Sequence, residues 1–82
     1  MTKEHKKALQ KIKSVGAKNV LSVYIDECLI SDEEIEILRR WLIKDDLQVA
    51  IANDMGYDKD TINKKISKAI LVLEKVIDLY TT

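Results

Sequence analysis

Asp32, Glu33, Glu34 and Glu36 are the densest run of carboxylates in the chain, and clustered carboxylates are what acid–base or metal chemistry requires. They follow Ser31, however. Ser31 with Glu34 three residues on has capping-box spacing, and Asp32 and Glu33 suit the positive end of a helix dipole. Capping therefore accounts for them. Cys28 repeats with Leu21 and Ile25 at intervals of three and four, a register in which cysteine serves as a small core residue. His5 is the only histidine, so no second imidazole is there to complete a metal site. There is no glycine-rich phosphate loop, no nucleophile–base–acid set and no pair of apolar-flanked acids. The expectation is a protein that is not an enzyme and holds no metal or cofactor. One further group is a polar row near the C-terminus: Lys59, Asp60, Asn63, Lys64, Lys65, Ser67 and Lys68. Its members donate and accept hydrogen bonds and carry charge, which is chemistry for recognition.

The elements that must position this row are helical. In 82 residues there are 46% apolar and 34% charged side chains, no proline and only Gly16 and Gly56 as glycines, which excludes turn-dense β architectures. One cysteine makes no internal disulfide, and the lysine-rich N-terminus has no apolar segment of a secretory signal. No apolar run approaches the roughly 20 residues of a membrane span. These observations predict a single all-α cytoplasmic domain over residues 1–82. Apolar periodicity and stop signals predict helices at about 3–13, 17–29, 32–43, 47–54 and 59–79, with Gly16 ending the first and Ser31 opening the third. In the third, Ile35, Leu38, Trp41 and Leu42 are expected inward, with Trp41 buried. Formal charge sums to zero but is segregated: six lysines against Glu4 in residues 1–18, and eight acids against Arg39, Arg40 and Lys44 in residues 19–46. Charge alone does not recruit nucleic acid to such a chain, although a locally basic helix can.

The stretch LQVAIANDMGYDKDTINKKI, about residues 47–67, sets a short helix and a long one around a single glycine. Ala52, four residues before Gly56, lets the two helices approach. Ile51 and Met55 face Ile62 and Ile66, Gly56 takes the positive φ of a tight reversal, Tyr57 plugs the turn and Asp58 caps the next helix. Two helices locked at a fixed angle, with the second open on its outer side, are the mechanics of a helix-turn-helix.

IANDMGYDKDTINKKISKAILVL resembles the C-terminal DNA-reading region, region 4, of bacterial sigma factors. It is also similar to LuxR-type response regulators and to small phage late-gene activators built on the same module. The resemblance is carried by Ile51-Ala52, Gly56, Asp58, Thr61-Ile62, Ile66 and Ala69. Upstream, ISDEEIEILRRWL resembles the helix that precedes the motif, so the likeness covers about residues 30–77. Lys44-Asp45-Asp46 stands where most relatives have a glycine, and the reading helix carries lysines where relatives usually carry arginines. The resemblance implies sequence-specific binding of double-stranded DNA by a small transcriptional regulator, phage- or mobile-element-encoded.

On such a helix the first residues reach base edges and later ones reach phosphates. Asn63 suits adenine, Lys59 or Lys64 suits guanine, and Asp60 suits cytosine N4 or repels wrong sites. Lys65 and Lys68 suit phosphate, with Ser67 beside them. Beyond the turn, Ile62, Ile66, Ala69, Leu73, Val76 and Tyr80 form a heptad seam. Ile70, Leu71, Val72, Ile77 and Leu79 make the rest of that helix apolar. Either the N-terminal helices cover it or a second copy does, and the expectation is a homodimer through this helix. Two alternatives stay open for the whole chain. One is a protein-interaction module or inhibitor reusing the fold, for example docking on RNA polymerase, to which region 4 relatives also bind. The other is the DNA-binding subunit of a phage terminase.

Overall fold

The computed structural model describes residues 3–81, and among them there are helices and connecting turns but no strand. Helix α1 is Lys3–Ser14, and His5 therefore lies within a helix. It ends at Gly16, whose φ of +76° is the left-handed conformation expected of a glycine after a helix. Its narrow stripe, Ala8 and Ile12, is buried against the C-terminal helix. Helix α2, Lys18–Asp26, buries Leu21 and Ile25. It stops three residues short of the expected end, because Cys28 N–H bonds Ile25 O at 3.1 Å and tightens the chain into a turn. Cys28 is buried just beyond it, and burial pushes its thiol up to about 11, which keeps it protonated and unreactive.

Helix α3 is Asp32–Leu38. Ser31 Oγ accepts from Glu34 N–H at 3.2 Å and donates to the Glu34 carboxylate at 2.9 Å, so the serine–glutamate spacing does close a cap. The α-helix expected to run on to 43 instead widens into a π-helical turn, Arg39–Ile43, in which Lys44 N–H reaches back five residues to Arg39 O at 3.1 Å. Widening shifts the register from Arg39 onward. Ile37 and Leu38 are fully buried, whereas Ile35, Trp41, Leu42 and Ile43 are only partly buried against the core. Trp41 is thus a half-buried residue bordering two clefts rather than a core anchor.

Helix α4 is Gln48–Met55 and helix α5 is Lys59–Thr81. Helix α5 is the spine: it packs on α1, α2, α3 and α4 and buries Ile62, Ile66, Ala69, Ile70, Leu73, Val76 and Ile77. The seam is therefore wider than a heptad, and α1 supplies much of its cover, tied down by Lys11 Nζ at 2.6 Å from Asp78 and 3.9 Å from Glu74. Tyr80, placed in the seam by its spacing, is 58% exposed and stacks on Tyr24 with ring centroids 5.5 Å apart. Leu71 and Val72 are partly buried, which leaves Leu79, 78% exposed, as the open aliphatic residue near the end of α5.

Candidate functional site

Around Gly56 the chain reverses by backbone chemistry. Gly56 has φ +76° and ψ +23°, and both its N–H and that of Tyr57 (2.9 Å) donate to Ala52 O, which satisfies the end of α4. A Cβ built on Gly56 meets nothing within 4 Å, so glycine is required by the dihedral and not by crowding. Asp58 Oδ1 accepts from Thr61 N–H at 2.7 Å, capping α5. Bonds from the Thr61 hydroxyl and amide hold the Asp58 carboxyl below its ordinary 3.8. Ile51, Ala52, Ile62 and Ile66 are all buried, which seats α4 against the first turns of α5.

Two polar clusters fix this pair of helices to α3. Arg40, on the π-helical turn, donates from Nε to Asp46 at 2.8 Å and from Nη2 to Asp54 at 2.6 Å. One guanidinium thereby joins the π-helical turn, the connecting loop and α4. Glu33, in the first turn of α3, accepts from the Tyr57 hydroxyl, which lies 2.9 Å from each carboxylate oxygen. Lys65 Nζ stands 3.5 Å from Glu33 and 5.1 Å from the centre of the Tyr57 ring. The Glu33 hydrogen bond, with burial, raises the Tyr57 phenol above its ordinary 10.0. In the loop, Asp45 takes φ +59°, the conformation a glycine adopts easily. Lys18 bonds both the Asp45 carboxylate and Ile43 O, the latter at 3.0 Å.

The residues of the polar row separate into four environments. Asp60, Lys64 and Lys68 are exposed on the side of α5 away from the core, with Ser67 half-buried beside them. Lys59 is exposed at the start of α5 and lines a cleft of about 460 Å³ with Trp41, Leu47 and Val49. Lys64, Lys68 and Lys59 make no ion pair among the described residues. Asn63 is half-buried, and its Oδ1 faces inward with no hydrogen-bond partner. Pairing both ends of that amide with a base requires the side chain to rotate first. Lys65 already has partners in Glu33 and Tyr57, which sets it apart from the open lysines.

Arg40 and Glu33 are the residues that sequence reasoning passed over. Both read locally as helix-end charges, and only the tertiary arrangement brings Asp54 to one and Tyr57 to the other. Among the described residues no three His, Cys, Asp or Glu side chains gather as metal ligands, and no helix is long and apolar enough to cross a membrane. Comparison of the chain with protein-family models, with curated proteins and with solved structures finds no match.

Proposed function

We propose that the chain is a small transcriptional regulator that binds double-stranded DNA through a helix-turn-helix made of α4, the Gly56 turn and α5, similar to sigma factor region 4. The observation that carries this reading is the sidedness of α5. Its first turns bury Ile62 and Ile66 against α4 while Asp60, Lys64 and Lys68 stay exposed on the other side. Lys59 and Lys64 are the candidates for base edges, Lys68 for phosphate, and Asn63 for adenine after its inward oxygen turns out. A buried carbonyl without a partner costs about 1–3 kcal/mol, so the free protein favours that rotation once a donor is offered. A DNA partner sets the protein in the cytoplasm.

Titration of a fluorescent random duplex tests the reading. Three open lysines give a log–log salt slope of roughly −2.7, at about 0.9 per phosphate. Lys68→Ala is expected to weaken all sequences alike. Asn63→Ala is expected to relax preference at one base pair, at a cost of about 1–3 kcal/mol. No shift of any duplex at about 50 mM salt and micromolar protein would refute it, since non-specific binding falls in that range.

A homodimer would bring two such helices to a two-fold site. With α1 lying along α5, the exposed large apolar residues that α5 itself offers for it are Leu79 and Tyr80. Sedimentation of wild type against Leu79→Glu tests that contact. Protein docking is the second reading, favoured by Leu47 and Val49, 73% and 51% exposed beside the Trp41 cleft. RNA polymerase is one partner of that kind, and retained binding to it by a Lys64→Ala, Lys68→Ala variant would favour this reading.

A further inference from the structure

We propose that Glu33 is the resident counter-ion of Lys65, held in place by Tyr57, so that a DNA phosphate must compete with Glu33 for Lys65. The inference rests on the DNA reading of α5 given above and adds a residue outside the reading helix that sets how strongly that helix binds.

Three side chains from three elements meet at this point. The Tyr57 hydroxyl carries one proton and lies 2.9 Å from both Glu33 oxygens, so it holds the carboxylate from whichever oxygen it serves. Lys65 Nζ, 3.5 Å from Glu33, also lies over the Tyr57 ring at 5.1 Å. A carboxylate and a phosphate compete for the charge of the same ammonium, so each Lys65–phosphate contact forms at the expense of the Lys65–Glu33 attraction. The Lys65 and Glu33 side chains are 32% and 41% exposed, so the pair is within reach of solvent and of a ligand. Lys64 and Lys68 have no such partner among the described residues and are open from the start. Glu33 therefore subtracts one cation from the basic face. It also places a negative charge where a misdocked phosphate backbone would approach, which is a repulsive determinant of binding.

The test compares wild type, Glu33→Gln, Glu36→Gln, Lys65→Gln and the Glu33→Gln, Lys65→Gln double variant on one random duplex between about 50 and 200 mM salt. Glu36 is exposed on the same helix, so its substitution makes the same change of net charge elsewhere. Glu33→Gln is expected to tighten binding at about 50 mM salt and to steepen the log–log slope by about 0.9, so that its advantage over wild type falls about 3.5-fold by about 200 mM, the effect of one added phosphate contact. Glu36→Gln is expected to leave the slope unchanged, and Glu33→Gln is expected to lose its effect in the Lys65→Gln background. Tyr57→Phe keeps the ring under Lys65 and removes the hydroxyl. It should give a smaller gain of the same sign, and it carries the test if Glu33→Gln does not fold. An unchanged slope in Glu33→Gln, an equal gain in Glu36→Gln, or a gain that survives Lys65→Gln overturns the proposal while wild-type binding stands. If wild type and all variants leave every duplex unshifted, the DNA reading falls and the proposal falls with it.

Discussion

From Lys59 to Lys68, α5 buries only Ile62 and Ile66, and its exposed side is charged. From Ala69 to Ile77 the same helix buries Ala69, Ile70, Leu73, Val76 and Ile77, with Leu71 and Val72 partly covered as well. The first segment meets α4 and leaves an outer face, while the second lies under α1, with Lys11 bridging to Glu74 and Asp78. One continuous helix thus carries an exposed charged face at its start and most of the core at its end. The apolar girth of the second segment, which from sequence alone asks for a second copy, is largely met within the chain. The excess of apolar residues there says little about partners, and the sidedness of the first segment says more.

Substitution in the two segments should separate these roles. The largest effect is expected from Leu73→Ala, because Leu73 is fully buried where α1 and α5 define the core. Its loss should cost about 2–5 kcal/mol. An 82-residue domain at about 0.05–0.15 kcal/mol per residue has little beyond that in reserve. Urea unfolding followed by Trp41 fluorescence should show the midpoint collapse. Lys64→Ala in the first segment should leave the same curve within about 0.5 kcal/mol. Equal losses from the two would erase the distinction.

Next in size is Gly56→Ala, which forces an L side chain into φ +76° at the junction that orients the first segment. The expected loss is about 1–2 kcal/mol by thermal unfolding. Because a Cβ there meets nothing, Gly56→Asn should recover part of it. If asparagine and alanine behave alike, the dihedral is not what glycine serves.

Smaller effects belong to the titrating groups that hold the first segment, and both leave the second untouched. The Asp58 carboxyl is depressed in the folded chain, so its contribution is present above its ordinary 3.8 and is lost as pH falls through the folded value. Asp58→Asn, which still offers an oxygen to Thr61 N–H, should flatten that acid limb of the stability curve. Tyr57 is shifted the other way. Its raised phenol contributes stability below its ordinary 10.0 that disappears as pH climbs through the folded value. Glu33→Gln should bring the Tyr57 titration back toward 10.0 by ultraviolet absorbance, since the Glu33 hydrogen bond is the largest cause of the shift.

What could be read from the sequence follows the range of the interactions. Ser31 with Glu34, Asp58 before Thr61, and Gly56 after Met55 are local patterns, and each produces the expected cap or turn. Helix number and order are set by the same short-range signals. The π-helical turn at Arg39–Ile43 escaped because periodicity assumes an unbroken α register, and Trp41, Leu42 and Ile43 on that turn are only partly buried. Sequence separates Lys65 from Lys64 only as phosphate against base-edge candidate, and nothing local marks Lys65 as already paired. Only the approach of Glu33, 32 positions away, does so. Charge pairing between elements has no periodic signature, and so the site's outline was legible while its electrostatics were not.

The smallest predicted effect concerns the loop that delivers the chain to α4. Asp45 holds φ +59° without being glycine, and its side chain pairs with Lys18. The two features oppose each other under Asp45→Gly. Glycine removes a left-handed penalty that is about 1–2 kcal/mol for most residues and less for aspartate, whose short polar side chain suits that conformation. It also adds backbone freedom to the unfolded chain, which costs about 0.4–1 kcal/mol. The lost pair is more than half exposed on both sides, where such contacts are worth about 0–1 kcal/mol. The sum lies within about 0.5 kcal/mol of zero, in contrast to the clear loss at Gly56. Measuring Asp45→Gly in low and high salt assigns the remainder. Screening weakens the Lys18 pair in wild type, so the variant should gain relative to wild type as salt rises. A salt-independent difference would mean that backbone conformation alone governs the entry to α4, and that Lys18 is not needed to hold it.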